Sequence, residues 1–306
     1  MELVLNDLSF TTVERTHYEA RSLMEQYVRT LAAATRGGAA KVLHSVVDIN
    51  MLLLAADYPI ARWRNDDLVE IDIVRLFKSL VTRAPSLPAN LADGLVEYRF
   101  EGEEAPALGF AYLEESLAVS LASNASWDAP LLSIEENSVE ADGDLTTSHV
   151  QVLHAATEAH VADHGALLCP PTPPDGTTMW LKRDELYPGL TFLDGIEGEL
   201  AVLGSNDHRT GRVHRRLSEL SAFMTGWDSG PLDANALPMR MTRDSQATLQ
   251  QFSEERTFVL PDGTGVVFSW HVKIGSRTRI YVHFVGPGEC FVGYIGAHLR
   301  TVRFAN

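Results

Sequence analysis

The stretch LLCPPTPPDGTT, residues 167–178, places prolines at four of five successive positions: Pro170, Pro171, Pro173 and Pro174. Each proline fixes φ and removes a backbone donor, so neither a helix nor a central strand runs through such a segment. The preferred conformation is extended polyproline II. The run therefore divides the chain into an N-terminal region, 1–168, a linker, 169–178, and a C-terminal module, 179–306. With 306 residues and 45% hydrophobic content, the chain is long enough to bury a core on either side of the linker.

Before the linker, a short strand at Glu2–Leu5 leads into a helix from about Val13 to Arg36, with Thr11 and Glu14 spaced as a capping box. Leu23, Tyr27 and Leu31 recur every four residues, and Gly37-Gly38 supplies the stop. Lys41–Val47 reads as a buried strand. A helix over about Asp66–Arg83 places Val69, Ile73, Leu76 and Leu80 on one face, with Asp66, Asp67, Glu70 and Asp72 suited to the positive end of its dipole. Leu95–Glu101, Leu117–Ser123 and Leu131–Glu135 read as strands, and Thr147–His164 as a third helix. Past the linker, helices over about Asp194–Leu203 and Asp207–Trp227 precede a run of strands. The expected class is α+β, a helix-plus-strand N-terminal region and a C-terminal antiparallel sheet packed on helices.

That sheet carries the strongest alternation. Turns at Pro261-Asp262-Gly263, Ile274-Gly275-Ser276 and Gly286-Pro287-Gly288 separate its strands. Val266, Phe268, Trp270, Val272 and Ile274 share one face; Val267, Ser269, His271 and Lys273 share the other. In the next strand Ile280, Val282 and Phe284 oppose Arg277, Arg279, Tyr281 and His283. An antiparallel meander would set the apolar face on the helices and gather His271, Lys273, Arg279, Tyr281 and His283 on the other.

Charge singles out the same strands. The chain's formal net charge is −16, yet Gly263–Asn306 holds Lys273, Arg277, Arg279, Arg300 and Arg303 against Glu289 alone, a net +4. The preceding 262 residues therefore carry −20. So acidic a surface argues against indiscriminate nucleic-acid binding by the whole protein, but leaves one local basic site. The polar face either solvates the open side of the sheet or seats an anion; like charges opposite on neighbouring strands destabilise unless something negative lies between them.

RNA cleavage through its own 2′-hydroxyl needs a base, an acid and cations for the phosphorane. His271 or His283 as base, His298 as acid, and Lys273, Arg279 and Arg300 on phosphate would complete a metal-independent site, with Tyr281 or Tyr294 stacking a base. CFVGYIGAHLRTVRF following HVKIGSRTRIYVHF resembles the last strands of small bacterial ribonuclease toxins of the RelE/barnase-like class, which hold RNA on the basic face of a short antiparallel sheet. ELVLNDLSF at the start and H-x-K…VGYIGAHL near the end are similar to uncharacterised bacterial proteins associated with phage-defence gene neighbourhoods. That resemblance implies work on invading nucleic acid, RNA above DNA, alone or beside a protein partner. The alternative is a non-catalytic nucleic-acid- or partner-binding subunit of a defence complex. A third reading has the acidic N-terminal region masking the basic face.

HRTGRVHRR, residues 208–216, sets Val213, Leu217, Leu220 and Met224 as a buried stripe, with Arg209, Arg212 and Arg216 as a cationic one. That second stripe either solvates the helix or extends a phosphate-binding groove. His160 and His164 have the spacing of zinc ligands on a helix but lack an H-E-x-x-H glutamate, so no metal and no cofactor is expected. Walker A, G-x-G-x-x-G and G-x-S-x-G motifs are absent. No basic-then-apolar leader and no apolar run of membrane-spanning length occurs, and two cysteines do not make a disulfide framework. These features lead us to expect a cytoplasmic protein without a membrane partner.

Overall fold

A computed structural model describes residues 1–11, 14–81, 85, 87, 96–139, 145–205, 207–233, 236, 237, 239–275 and 277–302. Arg303 and the start of the strand expected from Leu95 lie outside them. The protein is α+β and divides into two compact units, Met1–Pro170 and Pro171–Asn306.

The first unit is built on strands β1 (Leu3–Leu5), β2 (Leu43–His44), β3 (Val96–Phe100), β4 (Glu103–Glu104), β5 (Leu117–Val119), β6 (Leu131–Val139) and β7 (Leu145–Ala155). Their order across the sheet is β2-β1-β5-β7-β6-β3-β4. The first four run parallel and the rest antiparallel. Parallel strands covered on both faces are apolar throughout, as LVL and LAV are here. Leu3 and Leu5 join the cluster under helix α1 (His17–Arg36), while Val4 joins the cluster on the opposite face with helix α3 (Pro106–Leu113). Helix α2 (Ile71–Leu80) buries Ile73, Val74, Phe77 and Leu80 against the α1 side.

Several expectations change. Helix α1 starts at His17, and its capping box is Thr16 with Glu19 rather than Thr11 with Glu14. Asp66 caps no helix: it accepts hydrogen bonds from Tyr58 at 2.5 Å, the Leu68 N–H at 2.9 Å and Arg21 at 2.9 Å, contacts that hold its carboxyl down to about 2. The helix expected over Thr147–His164 is instead strand β7, paired with β6 over nine residues, followed by a short helix α4 (Glu158–Asp163). Val150 and Val152 alternate with polar residues there, and a partner strand distant in sequence outweighs local helical spacing.

At the carboxyl ends of the parallel strands, Asn6, Ser120 and His154 form a buried polar chain. Asn6 Nδ2 donates to Ser120 Oγ at 2.9 Å, and Ser120 lies 2.8 Å from His154 Nε2. His154 Nδ1, 2.6 Å from the Ala129 carbonyl, must therefore carry the ring's proton. In the neutral ring Nε2 then accepts from the Ser120 hydroxyl, and burial pushes His154 down to about 4. Unfolded histidine titrates near 6.5, so this group favours the fold above about pH 6.5 and loses that contribution as pH falls towards 4. The expected loss is about 3 kcal/mol. Urea unfolding at several pH values, wild type against His154→Gln, should show a pH-dependent difference; a constant difference would refute it.

In the second unit the prolines give way to helix α5 (Gly176–Leu181), followed by β8 (Leu190–Phe192), α6 (Ile196–Ala201), α7 (His208–Gly226), β9 (Met241–Arg243) and α8 (Gln246–Phe252). Strands β10 (Thr257–Val259), β11 (Gly265–Val267), β12 (Trp270–Ile274), β13 (Thr278–Gly286) and β14 (Glu289–Ala297) complete it. The main sheet has the order β8-β14-β13-β12-β9, with β8 parallel to β14 and the other pairs antiparallel. Its apolar face buries Val272, Ile280, Val282 and Val292 against Val213, Leu217, Leu220 and Met224 of α7, the stripe that 3.6-residue periodicity predicts.

The other face is covered too. The single strand expected over Val266–Ile274 breaks at Phe268-Ser269, so Phe268 does not share a side with Val272. It packs instead with Leu193, Tyr281 and Phe291 in a second cluster, joined by Phe258 and Val266 of the β10–β11 hairpin. The hairpin thus roofs the face expected to lie open, and the cover comes from the same unit.

A candidate anion-binding end of the C-terminal sheet

Of the polar face, His271, Arg279 and Tyr281 are 5%, 2% and 0% exposed. This corrects the open, solvent-facing basic surface expected from alternation alone. His271 faces Tyr281 across the β12–β13 ladder, their ring centroids 5.1 Å apart, and His298 lies 5.8 Å away on the same measure. His271 Nε2 is 2.9 Å from Thr242 Oγ1, while Nδ1 is 3.9 Å from Asp244 Oδ1 and makes no hydrogen bond. Burial first, then the positive charges of Arg279, His298, Lys273 and Arg256, hold His271 well below the usual imidazole range. A ring with 5% exposure lacks the access to substrate that a general base needs.

Sequence reasoning passed over Arg256 and Asp244, which anchor this interior. Arg256 is fully buried; its Nε donates to Asp244 Oδ2 at 2.6 Å, and its Nη groups reach the carbonyls of Phe252 at 3.3 Å and Arg300 at 2.7 Å. Nothing in the local sequence marks the pair, because it joins residues on either side of α8.

His283 stands apart from the other histidines. It is half-buried beside Phe268 with ring centroids 5.4 Å apart, and burial lowers its pKa. Arg300 is exposed, but its guanidinium is paired with Glu255. Arg209 is clipped to Asp207 at 2.6 Å and Arg216 to Glu219 at 2.5 Å, with Arg212 half-buried between them. The expected cationic stripe on α7 is thus largely neutralised within its own helix. His164, spaced four residues from His160, lies within hydrogen-bonding distance of the carbonyls of Pro130 and His154. Among the described residues no group of three or more His, Cys, Asp or Glu could hold a metal ion, and no helix is long and apolar enough to cross a membrane.

What the fold does concentrate is charge at one end of the sheet. Lys273 and Arg279 stand directly opposite each other on β12 and β13, next to the turn that carries exposed Arg277. His298, just past β14, donates its backbone N–H to the Arg277 carbonyl at 3.0 Å. Glu289, the one acid of these strands, pairs with Gly286 at the far end.

A cavity of about 450 Å³ opens beside this basic end, lined by Glu199, Arg209, Val213, Thr278, Tyr294 and Gly296 among others. Glu199 is there for a backbone reason. β8 ends at Phe192, the last bond from that side being Leu193 N–H to the Val292 carbonyl, so among the described residues no strand flanks the rest of β14 on that side. Glu199 Oε2 takes the place of that strand by accepting the Ile295 N–H at 2.6 Å. Burial raises its carboxyl to about 7. An acidic residue in a short helix gives no sequence signal of this role, since only the place where β8 stops creates it.

No family model, curated protein or solved structure matches the chain.

Proposed function

We propose that the C-terminal unit binds single-stranded nucleic acid, RNA above DNA, as a non-catalytic subunit of a bacterial defence system. The observation that carries this reading is the cationic end of the sheet, where half-buried Lys273 at the end of β12 and exposed Arg277 in the adjoining turn lie close together with His298 beside them. The defence setting rests on the resemblance of both chain ends to such proteins. Binding is favoured over cleavage because His271, the intended base, is enclosed and its basicity is lowered by burial.

The test uses the full-length protein with labelled single-stranded RNA and DNA in EDTA over a range of salt. Affinity should fall log-linearly with salt, and Lys273→Ala and Arg277→Ala should each reduce the slope by about 0.7, the value for one phosphate contact on a single strand. Binding that ignores salt, or that neither variant alters, would overturn the reading. Cleavage of RNA under these conditions, lost in His271→Ala, would instead establish the nuclease reading.

A further inference from the structure

The basic end and the cavity beside it share strands: Thr278 and Gly296, which line the cavity, flank Arg279 in the β13–β14 register. A strand held at the basic end therefore runs past an opening large enough for one base. Single-stranded recognition commonly splays a base into such a pocket, against an aromatic wall, and reads its hydrogen-bonding edge. Tyr294 supplies the wall. Its hydroxyl lies where a side chain at position 296 would stand, 2.4 Å from an ideal Cβ, so glycine at 296 is what lets the ring take this place.

Glu199 supplies the reader, and its polarity is set by the backbone. Oε2 is committed as acceptor to the Ile295 N–H, while Oε1 has no hydrogen-bond partner among the described residues. Helix α5, which packs on α6, has no titratable side chain within its span, and the charged or titratable groups lining the cavity besides Glu199 are Arg209, already bound to Asp207, and Tyr294. We propose that this cavity receives one base of the bound strand and that Glu199 Oε1 selects a base presenting an exocyclic amino group, cytosine or adenine, over uracil. The selection follows from the acceptor character of a carboxylate, which pairs with an amino edge and leaves a keto edge unpaired. It rests on the nucleic-acid reading above.

Glu199→Gln tests the idea with little change of shape. The Ile295 N–H still requires an acceptor, so the amide oxygen must face it and the amide nitrogen must face the cavity. The variant should therefore prefer a keto edge. Binding of RNA oligo(C) and oligo(U) to the full-length protein is compared at about pH 8.5, where the carboxyl is ionised. Wild type should bind oligo(C) about ten- to hundredfold more tightly than oligo(U), the difference expected for one hydrogen bond to a charged acceptor. Glu199→Gln should abolish or invert that preference. Salt-sensitive but equal binding of both oligomers by wild type would overturn the base-reading inference and leave the docking reading intact. No binding of either would overturn both. Should the variant fail to fold, the wild-type comparison alone decides.

Discussion

Arg256→Ala is expected to destabilise the C-terminal unit by about 3–5 kcal/mol, the cost of leaving one member of a buried ion pair without its partner. Arg256 and the Asp244 carboxylate have side-chain exposures of 0% and 4%, so solvent cannot stand in for the missing cation. The guanidinium also ties three segments together: Asp244 after β9, the Phe252 carbonyl at the end of α8, and the Arg300 carbonyl beyond β14. Lysine would keep the charge but lose the fork that reaches all three, so Arg256→Lys should recover only part of the stability. Replacing Arg256 and Asp244 together by apolar residues should cost less than Arg256→Ala, because no buried charge is then stranded. Urea unfolding followed by tryptophan fluorescence, Trp270 lying on β12, measures each case. A loss below about 1 kcal/mol for Arg256→Ala would mean the pair is hydrated in solution. The same variant should raise the pKa of His271, since one of the cations depressing it is removed.

Gly176→Ala is expected to cost about 3 kcal/mol or more, beyond what the loss of a methyl-sized space ordinarily costs. Gly176 opens α5 and donates its N–H to the Leu203 carbonyl at 2.8 Å, pressing the helix against α6. A Cβ there would lie 1.7 Å from the Leu200 carbonyl oxygen, a backbone atom that no rotamer change can move aside. The two helices must separate, and α6 carries Glu199, so the bond to Ile295 is disturbed as well. Gly198→Ala is the matched comparison in α6, where an added Cβ meets nothing within 4 Å. There the gain in helix propensity should stabilise by about 0.5–1 kcal/mol. Thermal unfolding of both variants separates a steric cost from a general effect of adding methyl groups near the cavity. Equal and small shifts would show that α5 and α6 have room between them.

Much of the fold was legible because it depends on neighbours in the chain. The α7 stripe of Val213, Leu217, Leu220 and Met224 follows from helical period and is fully buried. Gly263, with φ of 87°, sits where a left-handed turn residue is required after Pro261-Asp262. The Pro170–Asp175 segment forms neither helix nor strand, as proline stereochemistry demands. Alternation also showed correctly that Lys273 and Arg279 lie on one side of adjoining strands.

What alternation could not show is whether a face meets water or another layer. Period two assigns side chains to faces, and the exposure of a face depends on which distant segment reaches it. Here the β10–β11 hairpin packs on Tyr281, and a break at Phe268-Ser269 turns Phe268 into that second core. The same limit hid the ion pair of Arg256 with Asp244 and the task of Glu199 at the end of β8. Thr147–Ala155 forms a strand and not a helix for the corresponding reason: β7 exists through nine pairings with β6, none of them visible in local spacing. The sequence by itself determined which elements can form and which side chains share a face, because those follow from backbone geometry within a few residues. Tertiary structure alone decided which faces are closed and where a charge must serve the backbone, because those depend on contacts between segments far apart in the chain.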